Sequence, residues 1–395
     1  MEINKSNILV YDIETIKGFF LNCIYKPNID KWYVFCVNQY RNDLPAMLKF
    51  IDDNKEDFYV GYNNISFDAQ VIEYIYRNSE MFLELSSSEA SKKIWQKSQD
   101  IIETTNHGGF PPYKEWGLSF KQLDVFKVQH FDNKNRRVGL KRLEFEMDAE
   151  DVREMSVDHT KENFTPEEVD DLIYYCKNDV INTYKNYLYL IGETDNEFYK
   201  GTDAIKLRED LTNLFGINCL NYSNSKYGDE IMKKIYAKEV GLEVKDLPSK
   251  GTFRSNLKLG HAIPKFISFK TDILKELLKE VKNKVIGVSE SYEKVIQIGS
   301  RKHTFALGGL HSHTENEWFE SNDEVELIDE DVTGYYPWTI ISQTIAPKHL
   351  NKKAFVKVVE WLYNERSKLK PLVAENPEYK SLVSGYKEAN VSIEN

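Results

Sequence analysis

Residues 7–14 read Asn-Ile-Leu-Val-Tyr-Asp-Ile-Glu, an apolar run that ends in two carboxylates. The run predicts a β-strand. Since side chains two apart on a strand point to the same side, Asp12 and Glu14 should share one face of a sheet. Such a pair also occurs by chance in many proteins, so its meaning depends on the rest of the chain.

Strands and helices alternate outward from this stretch over residues 1–190, which indicates an α/β layer fold. The clearest helix signal is Thr165-Pro166 followed by Glu168, a capping box with proline at the first helical position. That helix should run through Asp179 to about Leu190. Further strands are predicted at 32–37, at 57–61 and within 118–128, and further helices at 68–76 and, on the surface, at 86–104.

Two later segments add polar side chains that could converge with the first pair. Asp68 follows a predicted strand and starts a helix, and Tyr175 and Asp179 lie four apart on one helix face. Phosphodiester hydrolysis by two metals needs several oxygen ligands around cations roughly 4 Å apart, and a tyrosine can orient the attacking water. A solvated helix face is the ordinary alternative for Tyr175 and Asp179, but the order of all three motifs favours a nuclease.

These motifs resemble those of the DEDD 3′–5′ exonucleases, in the tyrosine subclass, as found in family B DNA polymerases. The resemblance implies a ribonuclease H-like domain with a mixed sheet and flanking helices. It implies that Asp12, Glu14, Asp68 and Asp179 bind two Mg²⁺ or Mn²⁺ ions. Tyr175 would position the water.

The resemblance also implies contacts with a single-stranded 3′ end through Thr15, Asn64 and Phe67. Phe67 could stack on a base or pack as a core aromatic under its helix. Lys141 could touch a phosphate or be a solvated helix lysine. Both alternatives stay open at this point.

A second resemblance begins far along the chain. The stretch Asp331-Val-Thr-Gly-Tyr-Tyr-Pro resembles motif A of family B DNA polymerases, although the two residues before Tyr336 depart from the usual Ser-Leu. The match implies that Asp331 is catalytic and binds metal, that the Val332 carbonyl is a ligand, and that Tyr336 contacts the incoming nucleotide. A strand, Val325–Val332, should precede it. A plain strand-to-helix turn is the alternative.

Neighbouring features resemble the same family. Gly308 and Gly309 match a glycine pair that precedes motif A and contacts DNA. Arg366 and Lys370 share a face of a helix predicted over 354–370 and resemble the base of the fingers, where cations meet a nucleoside triphosphate.

The resemblance predicts the N-terminal part of a phage-type family B DNA polymerase with a proofreading exonuclease. Segments resembling motifs B and C are absent, so we expect a truncated chain or one half of a split enzyme. A free-standing exonuclease with a DNA-binding C-terminal half and a non-catalytic scaffold are the alternatives. The predicted domains are the exonuclease at 1–190, a connecting region at 191–303, a partial α+β palm at 304–350 and the start of the fingers at 351–395.

The composition limits which kinds of site and partner the chain can have. The chain has 395 residues, a net charge of −11 and 4 cysteines without a CxxC pair, which argues against a zinc site or a disulfide framework. No apolar run approaches the roughly 20 residues of a membrane span. We expect a cytoplasmic protein, in the host cytoplasm for a phage enzyme. Its expected partners are primer–template DNA, single-stranded 3′ ends, dNTPs, and a C-terminal polymerase fragment or other replication proteins.

Overall fold

The computed structural model describes residues 3–129, 138–155, 157–195, 200, 203–248, 251, 253–288, 290–313 and 318–392. The chain divides into two compact units, the first formed by residues 1–238 and 360–395 and the second by residues 239–359. Within the described ranges, no helix combines the length and apolar character that crossing a membrane requires.

The first unit is built on a six-stranded mixed sheet. Its strands are β1 (Ile8–Ile16), β2 (Phe19–Lys26), β3 (Lys31–Asn38), β4 (Arg41–Asn42), β5 (Phe58–Gly61) and β6 (Lys121–Asp124), in the spatial order β4-β3-β2-β1-β5-β6. Strands β1 to β4 pair antiparallel, whereas β5 is parallel to both β1 and β6. β1 therefore lies in the interior of the sheet, where the antiparallel and parallel halves meet.

Helices cover both faces of this sheet. The helices of this unit up to residue 240 are α1 (Leu44–Asp53), α2 (Asp68–Arg77), α3 (Ser79–Glu84), α4 (Ser87–Asn106), α5 (Val125–Val128), α6 (Leu140–Glu146), α7 (Pro166–Leu190), α8 (Ala204–Phe215) and α9 (Asn224–Val240). Ile8 and Val10 of β1 pack in the core under α7. Leu9 and Tyr11 pack in a second core under α1, α2 and α4. Side chains thus alternate along β1 and contribute to two cores on opposite faces of the sheet.

Most predicted elements of this unit are present. The strands at 7–14, 32–37 and 57–61 correspond to β1, β3 and β5. α7 starts at the predicted capping box, in which Thr165 accepts from the Glu168 N–H, and ends at Leu190. The helix predicted at 86–104 is present as α4. Its predicted surface position is wrong for one helix face, because α4 buries Ile94 and Ile101 against the sheet. β2 and α1 were not predicted.

Residues 191–238 belong to the first unit, together with residues 360–395. Arg208 of α8 is 1% exposed and donates to the carbonyls of Tyr222 at 2.7 Å and of Val128 at 3.2 Å. Helix α13 (Tyr379–Ser392) packs against α8, and a Cβ on Gly228 of α9 would meet the carbonyl oxygen of Glu388 at 2.3 Å. The first compact unit therefore extends beyond residue 190, and the predicted segments 1–190, 191–303, 304–350 and 351–395 stay a prediction.

The second unit contains smaller elements. These are β7 (Asn256–Lys258), α10 (Asp272–Asn283), β8 (Val285–Gly287), β9 (Glu293–Ile298), β10 (Arg301–Ala306), β11 (Gly309–Ser312) and α11 (Tyr335–Gln343). β7 pairs with β8, and β9, β10 and β11 form an antiparallel sheet. Helix α12 (Lys352–Leu369) begins in this unit and ends in the first.

The strand predicted at Val325–Val332 is not formed. These residues have no regular secondary structure and are exposed, with Val332 62% exposed. A strand exists only in a ladder, and no described strand pairs with this segment. The helix expected after it is present as α11, with Gly334 in the left-handed region at its start.

Candidate active site

Asp12 and Glu14 lie on the α7 face of β1, between the buried residues Val10 and Ile16. Glu14 is 8% exposed. The carboxylate oxygens of this pair and the sulfur of Cys176 on α7 lie within 4.8 Å of one another. The side-chain alternation of a strand thus places both carboxylates beneath one helix, as the sequence predicted.

Asp68 reaches β1 from the neighbouring strand. β5 ends at Gly61, where a Cβ would meet the Cβ of Asn64 at 2.6 Å, so glycine permits the tight turn that leads into α2. Asp124, at the end of β6, fixes the turn by accepting from the N–H groups of Asn63 at 2.9 Å and Ile65 at 3.3 Å. Asp68 then accepts from the Ile13 N–H at 3.3 Å, which holds its carboxylate beside the first pair.

Asp179 and Tyr175 come from one face of α7. Asp179 is 5% exposed, and its carboxylate forms an ion pair with Lys141 of α6. The same ammonium lies 4.4 Å from the centroid of the Tyr175 ring. Tyr175 also lies near Asp179, since burial and then the charge of Asp179 raise the pKa of its hydroxyl. Tyr174, the neighbouring tyrosine, is half exposed and contacts Asp151 instead.

The structure also brings in a carboxylate that the sequence analysis missed. Glu144 of α6 is fully buried, and its Oε1 lies 3.4 Å from the Lys141 ammonium. Asp179 is close as well, since burial and then the charge of Asp179 raise the pKa of Glu144. The i, i+3 spacing from Lys141 was visible in the sequence, but nothing there indicated burial.

Burial and mutual repulsion dominate the electrostatics of the carboxylates. Burial raises the pKa of Asp12 well above its usual range, and the charges of Asp68, Glu14 and Asp179 raise it further. Burial also raises the pKa of Glu14, with Asp179 and Asp68 adding to the effect and Lys141 opposing it. For Asp68, burial raises the pKa to about 7. Removing these groups from water disfavours their charged forms unless cations are close.

The donor set fits hard divalent cations. Asp12, Glu14, Asp68 and Asp179 offer carboxylate oxygens, the ligands that Mg²⁺ and Mn²⁺ prefer. Lys141 is the cation that contacts one of them, and it balances only part of their charge. The thiol of Cys176 does not join the set, because Mg²⁺ and Mn²⁺ prefer hard oxygen ligands to soft sulfur. Two divalent cations would neutralise the carboxylates.

The residues predicted to contact DNA differ in their surroundings. The side chain of Thr15 points to the opposite face of β1 and donates to the Ser98 hydroxyl at 3.0 Å, so only its backbone adjoins the site. Asn64 is fully buried and donates to Gln122 at 2.7 Å, which gives it a structural role in the turn. Lys141 lies in the site, but its ammonium pairs with the carboxylate of Asp179. Contact of any of them with DNA stays a prediction.

Phe67 has features of both roles that the sequence left open, a ring that stacks on a base and a core aromatic. It packs against the core under α2 and α4. It also lines an open cavity of about 560 Å³, together with Asn63, Ile102 and Phe126. Asp68 is the next residue in the chain.

The residues of the polymerase resemblance are distributed over both units. Asp331, Val332 and Tyr336 are exposed in the second unit, beside the start of α11. Gly308 lies in the turn between β10 and β11 of that unit, and Gly309 is the first residue of β11, with a φ of 142°.

Arg366 and Lys370 lie at the end of α12 and just beyond it, in the first unit. Their predicted contact with a nucleotide stays a prediction, as do the roles of Asp331, Val332 and Tyr336.

No protein-family model matches this sequence, and no curated protein matches it. Among solved structures, the chain is similar to the family B DNA polymerase from the hyperthermophilic archaeon Pyrobaculum calidifontis, with 12% sequence identity and a TM-score of 0.43. The match covers 98% of this chain and 46% of that one, so the chain spans less than half of the polymerase. A likeness this distant does not identify a family.

Proposed function

We propose that this chain is a metal-dependent 3′–5′ exonuclease of the DEDD tyrosine type, acting as the proofreading part of a family B-type DNA polymerase. The observation that carries the proposal is the convergence of Asp12, Glu14, Asp68 and Asp179 beneath one face of α7, with Tyr175 on the same helix. A chance set of surface carboxylates would not be buried together from three separate elements.

The sheet supports the nuclease assignment. Its central strand carries the first two carboxylates, with antiparallel strands on one side and parallel strands on the other. From this order and these directions we infer a ribonuclease H-like fold. The third carboxylate follows the parallel neighbour β5, and the fourth lies on the helix that covers the same face.

Each residue then has a definable task. Asp12, Glu14, Asp68 and Asp179 would hold two Mg²⁺ or Mn²⁺ ions, which supply a metal-bound hydroxide and stabilise the leaving 3′-oxygen. Burial and the nearby Asp179 raise the pKa of Tyr175 above its usual range, so the phenol keeps its proton. Its hydroxyl can therefore donate a hydrogen bond and orient a water molecule but is a poor general base.

The 3′ end of the strand would enter beside Phe67, whose ring offers a stacking surface that tolerates any base. Single-stranded 3′ ends and primer–template DNA are the proposed partners. In the polymerase assignment, Asp331, Tyr336 and Arg366 would serve dNTP binding and transfer. The two-metal transfer site also needs the aspartate of motif C, which this sequence does not contain. The free-standing exonuclease therefore remains the second candidate function.

Digestion of a 5′-labelled single strand by the full chain with Mg²⁺ tests the proposal. We expect stepwise shortening from the 3′ end, abolished in Asp12→Ala and in Asp179→Ala. Asp170→Ala is the matched control, because Asp170 is an exposed carboxylate on the same helix as Asp179. A lane with primer–template and dNTPs reports on polymerisation.

Shortening that survives both substitutions, or its absence in the wild-type chain, would refute the carboxylate assignment. Shortening without primer extension would favour the free-standing exonuclease or an enzyme that needs a further polypeptide. Extension by this chain alone would show that the transfer site is assembled from residues other than those of motif C.

A further inference from the structure

Glu144 is an unusual buried residue. Its side chain is 0% exposed, yet it is a carboxylate on a short helix in a stretch rich in charged residues. Its Oε2 accepts no hydrogen bond from any residue in the described part of the chain. Burying such a group is costly unless a cation compensates it. Its nearest cation is Lys141, at 3.4 Å.

Lys141 is shared between two carboxylates. It contacts Asp179 and Glu144 together, and the Tyr175 ring lies against it. In the protein without metal, this one ammonium compensates part of the charge of both. A divalent cation at Asp179 would compete with Lys141 for this carboxylate, because both cations are attracted to the same negative charge.

We propose that Glu144 is a positioning residue that retains Lys141 when a divalent cation takes Asp179. The inference rests on the metal site of the proposed function. In the metal-free protein the Lys141 ammonium contacts both carboxylates. With a cation at Asp179 it pairs with Glu144 alone and keeps its place against the Tyr175 ring. Without Glu144, Lys141 loses the second of its two carboxylate contacts and competes with the cation for Asp179.

A simpler role for Glu144 must be separated from this one. A carboxylate close to Asp179 attracts any cation by its charge alone, whether Lys141 is present or not. The two roles differ in coupling. If Glu144 acts through Lys141, its removal matters only when Lys141 is there, whereas a direct effect of charge persists without the lysine.

The experiment is a double-mutant cycle with Mn²⁺ as the probe. The variants are wild type, Glu144→Gln, Lys141→Met and the double variant of the full chain, stripped of metal at pH 8 and without DNA. Free Mn²⁺ is measured by electron paramagnetic resonance. We expect Glu144→Gln to weaken the binding about tenfold, a coupling typical of groups in contact. In the Lys141→Met background, the same substitution should change it less than about twofold.

Glu146→Gln is the matched control, since Glu146 lies on the same helix, is exposed, and pairs with Arg142 instead of Lys141. It should leave Mn²⁺ binding unchanged. Thermal unfolding of the metal-free variants checks folding. Glutamine has the shape of glutamate, so Glu144→Gln should retain the wild-type unfolding midpoint or exceed it.

An equal loss in both backgrounds, or no loss in either, would overturn the proposal. Absence of saturable Mn²⁺ binding in the wild-type chain would overturn it together with the metal site. The two proposals fail separately. Coupled Mn²⁺ binding without DNA digestion would refute the exonuclease and leave the role of Glu144 in place, and digestion with uncoupled binding would do the reverse.

Discussion

Replacing Asp68 by asparagine should stabilise the metal-free protein while it damages the metal site. Burial raises the pKa of Asp68 from 3.8 to about 7 in the folded state. Folding therefore favours the protonated carboxyl, and this group lowers stability as the pH rises from about 4 towards 7. A pKa shift of about three units corresponds to a loss of at most about 4 kcal/mol in the free energy of unfolding at pH 8, at roughly 1.4 kcal/mol per pKa unit.

Asparagine is close in shape to the protonated acid, and its Oδ1 can still accept from the Ile13 N–H. We therefore expect the metal-free Asp68→Asn variant to be more stable than wild type by about 2 kcal/mol at pH 5 and about 4 kcal/mol at pH 8. For a unit of this size the larger value is a midpoint increase of roughly 8 °C or more.

The assay is thermal unfolding in a chelating buffer at pH 5 and pH 8, with and without Mg²⁺. Asp170→Asn is the control, because this carboxylate is exposed on α7 and should change stability by less than about 0.5 kcal/mol. Saturating Mg²⁺ should raise the wild-type midpoint more than that of Asp68→Asn. If the variant is no more stable than wild type at pH 8, or if its advantage does not grow with pH, the electrostatic account of the site is wrong.

Three further predictions address single residues. Tyr175→Phe should lower the rate of single-turnover digestion about a hundredfold without changing Mn²⁺ affinity, and an unchanged rate would exclude its hydroxyl from the reaction. Phe67→Ala should weaken binding of a single-stranded 3′ end about tenfold by loss of stacking, measured by fluorescence anisotropy, and unchanged affinity would assign the ring to the core alone. Arg208→Met should destabilise the protein by about 3 kcal/mol in thermal unfolding, because it leaves the carbonyl of Tyr222 and the amide oxygen of Asn224 without their donor; a smaller change than about 1 kcal/mol would contradict this.

The parts of the site that could be predicted follow from local periodicity. The two-residue repeat of a strand places Asp12 with Glu14, and the four-residue spacing of a helix places Tyr175 with Asp179. Both predicted pairs lie on the elements that the structure contains. Asp68 also follows simple geometry, since parallel neighbouring strands such as β1 and β5 bring their following turns to one edge of the sheet.

The parts that could not be predicted depend on contacts between distant residues. Nothing near Glu144 indicates burial, because its cover and its neighbour Asp179 come from a helix more than twenty residues away. The segment Val325–Val332 has the apolar residues of a strand, but a strand needs a partner that sequence pattern alone does not provide. The extension of the first unit to α13 likewise depends on the close approach at Gly228.

The opposite face of the sheet explains how the protein tolerates such a site. Repelling carboxylates on β1 oppose folding in the absence of metal, and Lys141 compensates only part of their charge. The same strand buries Leu9, Tyr11 and Ile13 against α1, α2 and α4, at roughly 2 kcal/mol for each large apolar side chain. The strand is thus held in place by the face without carboxylates, while Asp124 fixes the turn before Asp68. Because that scaffold does not depend on a cation, the carboxylates can stay assembled before metal binds, and binding energy need not be used to order them.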